Sequence, residues 1–174
     1  MSTIDELVQA NETYARTFDR GGLPMPPARG VAILTCMDAR ILPSKALGLR
    51  EGDAHVIRNA GGRARDALRS IIISQRLLGT KELAVIHHTD CGMLTFNNSA
   101  LRAKVQEDLG RDTGEFDFLP FADLDESVRE DIEFLHATQL LSPDTLIRGF
   151  VYDVQTGRLR EVKIEVEAGS RSEG

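Results

Sequence analysis

Two short segments of the chain carry side chains that could bind a metal ion. Cys36 opens the segment CMDAR, and His88 lies three residues before Cys91 in the segment HTDCG; these are the chain's two cysteines. Two thiolates and one imidazole are ligands that zinc prefers, and three protein ligands leave a fourth position for water. Zinc-bound water ionises at about pH 7, so such a site would supply a hydroxide nucleophile at neutral pH.

The first segment also carries a carboxylate and a guanidinium that could serve the same site. Asp38 lies two residues after Cys36, and Arg40 two residues further on, so all three side chains could face one side of a tight loop. A carboxylate beside a zinc-bound hydroxide can accept its hydrogen bond, whereas a free carboxylate could take the fourth zinc position itself. Arg40 is permanently charged and fork-shaped, which suits it to hold Asp38 away from the metal.

Each of these features has a simpler interpretation when it is taken alone. A single cysteine is more often a small buried hydrophobic residue than a ligand, and an Asp-x-Arg pair is usually a surface ion pair. Two alternative functions also stay open: a dithiol redox or regulatory protein that uses Cys36 and Cys91, and a structural zinc module with Asp38 as fourth ligand. The coincidence of all these features at strand ends favours a metal site.

The elements around these segments predict how the side chains are positioned. Strands are predicted at 31–34, 53–58 and 82–87, and a helix at 64–79. This alternation predicts a parallel sheet with helices on both faces. Because functional loops lie at the carboxyl ends of parallel strands, Cys36 and the His88–Cys91 segment are expected to meet at one edge of the sheet.

The rest of the chain completes an α/β fold with a central, mostly parallel β-sheet flanked by helices. Further helices are predicted at 3–18, 97–109 and 123–140, and strands at 145–154 and 158–166 form a C-terminal β-hairpin. We expect three parts: an N-terminal helical arm and linker (1–29), a single α/β catalytic domain (30–167) and a disordered tail (168–174).

Composition excludes several other classes of protein. The length of 174 residues fits one domain, and the net charge of −6 disfavours binding to nucleic acid or to an anionic membrane surface. No window approaches the roughly 18 apolar residues of a membrane span, and the N-terminus lacks the apolar core of a signal peptide. We therefore expect a cytoplasmic protein with no structural disulfide between its cysteines.

Several residues near the predicted strand ends have more than one interpretation. Gly61 and Gly62 are expected to line the site and allow close approach of a small substrate, since the nucleotide-binding patterns GxGxxG and GxxxxGK[ST] are absent. His87 is expected to face away from the metal and to be packed or hydrogen-bonded, with a proton-shuttle role as alternative. Asp90 is either a hydrogen-bonding neighbour of a ligand or a solvated turn carboxylate.

Four arginines could line an anion path for bicarbonate or form surface ion pairs, and the surface interpretation is favoured for the last three of them: Arg58, Arg63, Arg65 and Arg69.

Together the segments resemble those of the β-class carbonic anhydrases. That family carries Cys-x-Asp-x-Arg after one strand and His-x-x-Cys-Gly after another, and both patterns are intact here. RNAGG (58–62) and RGFVYDV (148–154) are also similar to family segments. The resemblance implies one Zn²⁺ per chain, and it assigns the roles as follows: metal ligands Cys36, His88 and Cys91; catalytic pair Asp38 and Arg40.

The resemblance also implies a reaction and an assembly. The family hydrates carbon dioxide reversibly to bicarbonate and a proton, while relatives with the same ligands hydrolyse carbonyl sulfide or carbon disulfide. The width and apolar lining of the pocket are expected to decide between these substrates, and the segments 93–101 and 112–121 are the first candidates to supply that lining. A homodimer or higher even oligomer is implied, with the N-terminal helix laid over the partner. Ala39 replaces the family's usual serine, and the absence of tryptophan argues against a second, inhibitory bicarbonate site.

Overall fold

The computed structural model describes residues 1–164, so three predicted features lie outside the described residues: the end of the second hairpin strand at 166, the domain end at 167 and the tail at 168–174. The helices and strands, in chain order, are α1 Thr3–Ala15, β1 Val31–Cys36, α2 Pro43–Ala46, β2 Ala54–Asn59, α3 Ala64–Arg76, β3 Glu82–His88, α4 Asn98–Leu109, α5 Leu124–Ala137, β4 Leu146–Tyr152 and β5 Leu159–Glu161. Short 3₁₀ turns at Ala60–Gly62 and Gly92–Leu94 follow β2 and β3.

The five strands form one sheet in the order β2-β1-β3-β4-β5. The first four are parallel to one another, and only β5 is antiparallel to its neighbour β4. The predicted mostly parallel sheet and the antiparallel terminal hairpin are therefore confirmed. In the pairing of the two central strands, Thr35 lies opposite Ile86. This register brings Cys36 and His88, the last residues of β1 and β3, to the same edge.

The core lies between the sheet and helices α3 and α5. The apolar runs of β1 and β3 supply its centre, where Leu34 and Val85 are fully buried. Gly149 of β4 allows α5 to approach closely, because a β-carbon there would overlap the side chains of Val128 and Ile132. The opposite face is covered in part by the short helix α2, which lines a small apolar space with β1 and β3.

The helix of the predicted N-terminal arm is shorter than expected, since it ends at Ala15 rather than at residue 18. A hydrogen-bonded capping box between Ser2 and Asp5 begins it. Within the described chain, no residue of α1 is buried. The Tyr14 hydroxyl donates a 2.7 Å hydrogen bond to Glu51, which ties the arm to the rest of the molecule. Among residues 1–164, no helix is long and apolar enough to cross a membrane.

Candidate metal centre

The three predicted ligands converge at the carboxyl edge of the sheet. The Cys36 and Cys91 sulfurs and a His88 ring nitrogen lie within 4.8 Å of one another, and all three residues are buried. The His88 Nδ1–H donates a 2.9 Å hydrogen bond to the Thr89 carbonyl, which fixes the tautomer that leaves Nε2 as an acceptor. That buried Nε2 has no hydrogen-bond partner among the described residues. A buried acceptor beside two sulfurs fits a bound cation, and the donor set is the one zinc prefers.

The two thiols lie next to each other, and a hydrogen bond between them shifts their pKa values in opposite directions. Donation from Cys91 to the Cys36 sulfur lowers the pKa of Cys36 to about 4. The same hydrogen bond raises the pKa of Cys91 well above its usual value. The Gly61 N–H also donates to the Cys36 sulfur, at 3.3 Å, which helps to make Cys36 the thiolate of the pair. A cation would replace the shared proton and allow both sulfurs to be ionised.

Asp38 is held beside the ligands by Arg40. The Arg40 Nε donates to Asp38 Oδ1 at 3.0 Å and Nη2 donates to Oδ2 at 2.7 Å, while the Arg40 backbone N–H adds a 2.8 Å bond to Oδ1. Arg40 thereby holds the pKa of Asp38 far below its usual range. Asp38 Oδ2 lies 3.8 Å from His88 Nε2, so the ionised carboxylate borders the ligand cluster.

Two further contacts of the Asp38 loop were not anticipated from the sequence. Arg58 donates to the carbonyls of Cys36 and Asp38, at 2.9 and 2.7 Å, and so fixes the backbone of the first motif. Arg40 also reaches the second motif, because its Nη1 donates to Asp90 Oδ2 at 2.6 Å and its Nη2 to the Asp90 carbonyl at 2.8 Å. The only sequence signal for these contacts is position, since Asp90 lies within the second motif and Arg58 begins the segment RNAGG.

The glycine pair after β2 packs behind the Cys36 loop. Gly61 and Gly62 have left-handed backbones, with φ of 78° and 71°. A β-carbon on Gly62 would lie 3.0 Å from the Thr35 carbonyl carbon and 3.1 Å from the Cys36 nitrogen. The close backbone approach expected at these glycines is therefore made to the strand end that carries a ligand. Their role in lining a substrate pocket stays a prediction.

A buried polar network lies on the side of β3 away from the ligands. His87 contacts Ser127 Oγ at 2.7 Å through Nδ1 and Asp131 Oδ2 at 3.1 Å through Nε2, which confirms that it is packed and hydrogen-bonded. Asp131 also accepts from the Ala64 N–H at 3.1 Å. Arg63 lies 3.6 Å from Asp131 and is only 5% exposed. The favoured assignment of Arg63 to the surface is therefore wrong, because this carboxylate draws it into the interior.

Comparison with known proteins identifies the family to which a chain with this site belongs. A family model described as carbonic anhydrase matches residues 31–117, which include every ligand. The chain is 45% identical over 164 residues to beta-carbonic anhydrase 1 of Mycobacterium tuberculosis, covering 93% of this chain and 99% of that protein. It is 36% identical over 182 residues to the carbon disulfide hydrolase of an Acidianus species, covering 91% of this chain and 88% of that protein.

The solved structures agree with the sequence relatives. The crystal structure of carbonic anhydrase from Streptococcus mutans superimposes with a TM-score of 0.89 at 49% identity, covering 94% of this chain and 99% of that chain. The family model thus matches half of the chain, and the sequence relative and the solved structure cover more than nine tenths of it. The chain belongs to the β-carbonic anhydrase family.

Proposed function

We propose that the protein catalyses the reversible hydration of carbon dioxide to bicarbonate and a proton, at one zinc ion held by Cys36, His88 and Cys91. The observation that carries the proposal is the convergence of these three ligand atoms beside the Asp38–Arg40 pair. The 45% identity to a β-carbonic anhydrase over 93% of the chain supports the same reaction. Bound zinc supplies a Lewis acid that brings the pKa of water to about 7.

The chain's own groups then position the reactants. The Asp38 carboxylate, kept ionised by Arg40, is suited to accept a hydrogen bond from the attacking water and so orient its lone pair toward the carbon of the substrate. As the carbon–oxygen bond forms, the water's proton passes to solvent and bicarbonate leaves. Buried apolar side chains surround the ligands and favour an uncharged substrate over bulk water: Ile41, Met93 and Phe121.

Metal analysis and stopped-flow kinetics test this proposal together. We expect about one zinc per chain, as for a single three-ligand site. Cys36→Ser and His88→Ala should lose both zinc and carbon dioxide hydration. Asp38→Asn should keep zinc but lose about 100-fold in rate, the scale of losing the orientation of one reactant. Absence of zinc after metal-replete expression would contradict the proposal, and activity that survives His88→Ala would favour the dithiol alternative.

Hydrolysis of carbon disulfide or carbonyl sulfide is the second candidate for the same site. The observation that favours it is the relation to carbon disulfide hydrolases, which are 36% and 35% identical over 91% of this chain. Both substrates present a linear, electrophilic carbon, as carbon dioxide does. Sulfide release should be assayed beside hydration on the same zinc-loaded preparation. Faster turnover of either sulfur compound than of carbon dioxide would establish this candidate instead.

We also propose that the protein is a cytoplasmic homodimer, or a higher even oligomer, with α1 packed against the partner. Exposed apolar residues on α1 support the assembly, since Ile4, Leu7 and Val8 are 72%, 66% and 58% exposed. Two free thiols in the metal centre are compatible with a reducing compartment.

A further inference from the structure

We propose that Asp90 is a positioning residue: it anchors Arg40, and through Arg40 it keeps Asp38 beside the zinc site instead of on it. This inference rests on the proposed function and assigns a role to a residue outside the ligand set and the Asp38–Arg40 pair. Its starting point is the guanidinium of Arg40, whose contacts span the two motifs.

Arg40 bridges two loops that are distant in sequence. One side of its guanidinium holds both carboxylate oxygens of Asp38, at 3.0 and 2.7 Å. The other side holds Asp90 twice, at 2.6 Å through the carboxylate and 2.8 Å through the backbone carbonyl. Two-point contact on each side fixes the plane of the guanidinium as well as its position. The orientation of Asp38 is therefore tied to the turn that contains Asp90.

The backbone at Asp90 is adapted to this contact. Its φ of 54° is left-handed, a conformation adopted by only two other non-glycine residues of the described chain, Leu119 and Gln139. Asp tolerates this region better than most residues. Asp90 also lies between His88 and Cys91, so the same turn that carries two ligands directs a carbonyl and a carboxylate at Arg40. The position of Asp38 is thus fixed, through Arg40, relative to the turn that carries His88 and Cys91.

Anchoring is needed because Asp38 lies close to the metal position. Its Oδ2 is 3.8 Å from His88 Nε2, and a carboxylate is itself a zinc ligand. Arg40 cannot supply the restraint alone, since its side chain is 47% exposed and would be free to move in solvent. Because the competing position of Asp38 is so near, even a modest loss of anchorage should change which position it occupies.

The test uses two variants that both accept a left-handed backbone, Asp90→Asn and Asp90→Gly. In the zinc-loaded protein we expect the rate of carbon dioxide hydration to fall about two- to fivefold for Asn, as for loss of an exposed ion pair, and further for Gly. Zinc retention against a chelator should rise, because Asp38 becomes available as a fourth ligand. The opposite signs are diagnostic, since simple damage to the turn would lower both quantities.

Two controls isolate the contact. Asp112→Asn removes the same charge from an exposed loop, where among residues 1–164 the carboxylate accepts only from the nearby Gly114 N–H, and it should change neither quantity. In the double variant Asp38→Asn/Asp90→Asn, zinc retention should equal that of Asp38→Asn alone, because the carboxylate that would bind the zinc is absent from both. Unchanged rate and retention in both Asp90 variants would overturn the proposal, as would a fall in both. A wild-type protein that does not hydrate carbon dioxide would overturn the proposed function, while the chelator assay would still test Asp90.

Discussion

At the scale of single residues, Gly62 shows how a missing side chain shapes the metal centre. The atoms that a β-carbon would meet belong to the backbone of Thr35 and Cys36, at 3.0 to 3.2 Å. Backbone atoms of a central strand cannot move aside by changing rotamer. An alanine would therefore push either the turn or the strand end, and the strand end carries a ligand.

We predict that Gly62→Ala lowers the free energy of unfolding by roughly 2–4 kcal/mol, the sum of a left-handed backbone and steric overlap. Gly79→Ala is the matched control, because Gly79 has a similar φ of 75° but no atom of the described residues within 4 Å of its β-carbon position. It should cost only about 1–2 kcal/mol. Denaturant unfolding of the zinc-loaded proteins measures both, and equal losses would argue against the steric part.

Residue types and spacing were enough to predict which candidate ligands converge but not what surrounds them. The convergence of Cys36, His88 and Cys91 could be predicted because ligand chemistry depends on residue type and because parallel strands end at a common edge. The contacts of Arg40 with Asp90 and of Arg58 with the Asp38 carbonyl depend on how separate loops meet. That geometry leaves no periodic signal in a single sequence.

At the scale of elements, the buried network around Asp131 joins α5 to two other parts of the fold. Its carboxylate contacts His87 at the end of β3 and the Ala64 N–H at the start of α3. The following residue of β3 is the ligand His88, and α3 begins directly after the turn that contains Gly61. The network therefore fixes the distance between the end of β3, which carries His88, and the start of α3. The turn just before α3 supplies the Gly61 N–H that donates to the Cys36 sulfur.

We predict that Asp131→Asn destabilises the protein by about 3 kcal/mol, because it removes the buried carboxylate that contacts His87 and the Ala64 N–H. Arg63 would keep only the half-exposed Glu130 as an anionic partner. Zinc retention should fall together with stability, in contrast to the Asp90 variants. Thermal unfolding and a chelator assay supply the measurements. Asp112→Asn, an exposed change of the same charge, should stay within about 0.5 kcal/mol of wild type. A stable Asp131→Asn protein with normal zinc retention would contradict this role.

The short strand β5 is tied to α5 by an ion pair with a pH-dependent contribution. Both nitrogens of the Arg160 fork bind Asp125, at 2.6 and 2.9 Å, and this contact lowers the pKa of Asp125. A lowered pKa in the folded state means that the stabilisation is complete above the unfolded value of about 3.9. It is lost as the pH falls through the lower folded value.

Asp125→Asn should therefore reduce stability at pH 7, by about 0.5–1 kcal/mol because the pair is partly exposed. The difference from wild type should shrink as the pH is lowered below about 4, where the wild-type carboxylate also becomes protonated. Thermal unfolding at a series of pH values measures this convergence. A difference that is independent of pH would show that packing, not charge, links β5 to α5.

Element boundaries were harder to predict than element types. The apolar pattern of the N-terminal helix continues to Phe18, whose ring packs on Tyr14 with centroids 5.5 Å apart, although the helix has already ended at Ala15. Side-chain packing thus extended the helical signal beyond the helix. β5 covers only Leu159–Glu161, although its partner β4 continues from the last pair, Phe150 with Glu161, back to Leu146.

At the scale of the whole molecule, apolar side chains that a monomer exposes are concentrated on the N-terminal arm. Ile4, Leu7 and Val8 follow one another at helical spacing, so they share one side of α1. The cost of exposing such a stripe is removed if it packs against a second copy of the chain. Assembly is therefore expected to depend on this side of α1 and not on the other.

We predict that Leu7→Glu converts the protein to monomers or weakens its assembly strongly, because a buried carboxylate at the centre of the stripe would have no partner. Thr13→Glu is the matched control. Thr13 lies nine residues after Ile4, or about two and a half helical turns, and so faces the opposite side of α1. Sedimentation velocity should resolve monomer from dimer for both variants. If Leu7→Glu sediments like wild type, the arm does not hold the subunits together, and if Thr13→Glu also dissociates, the contact surrounds the helix on both sides.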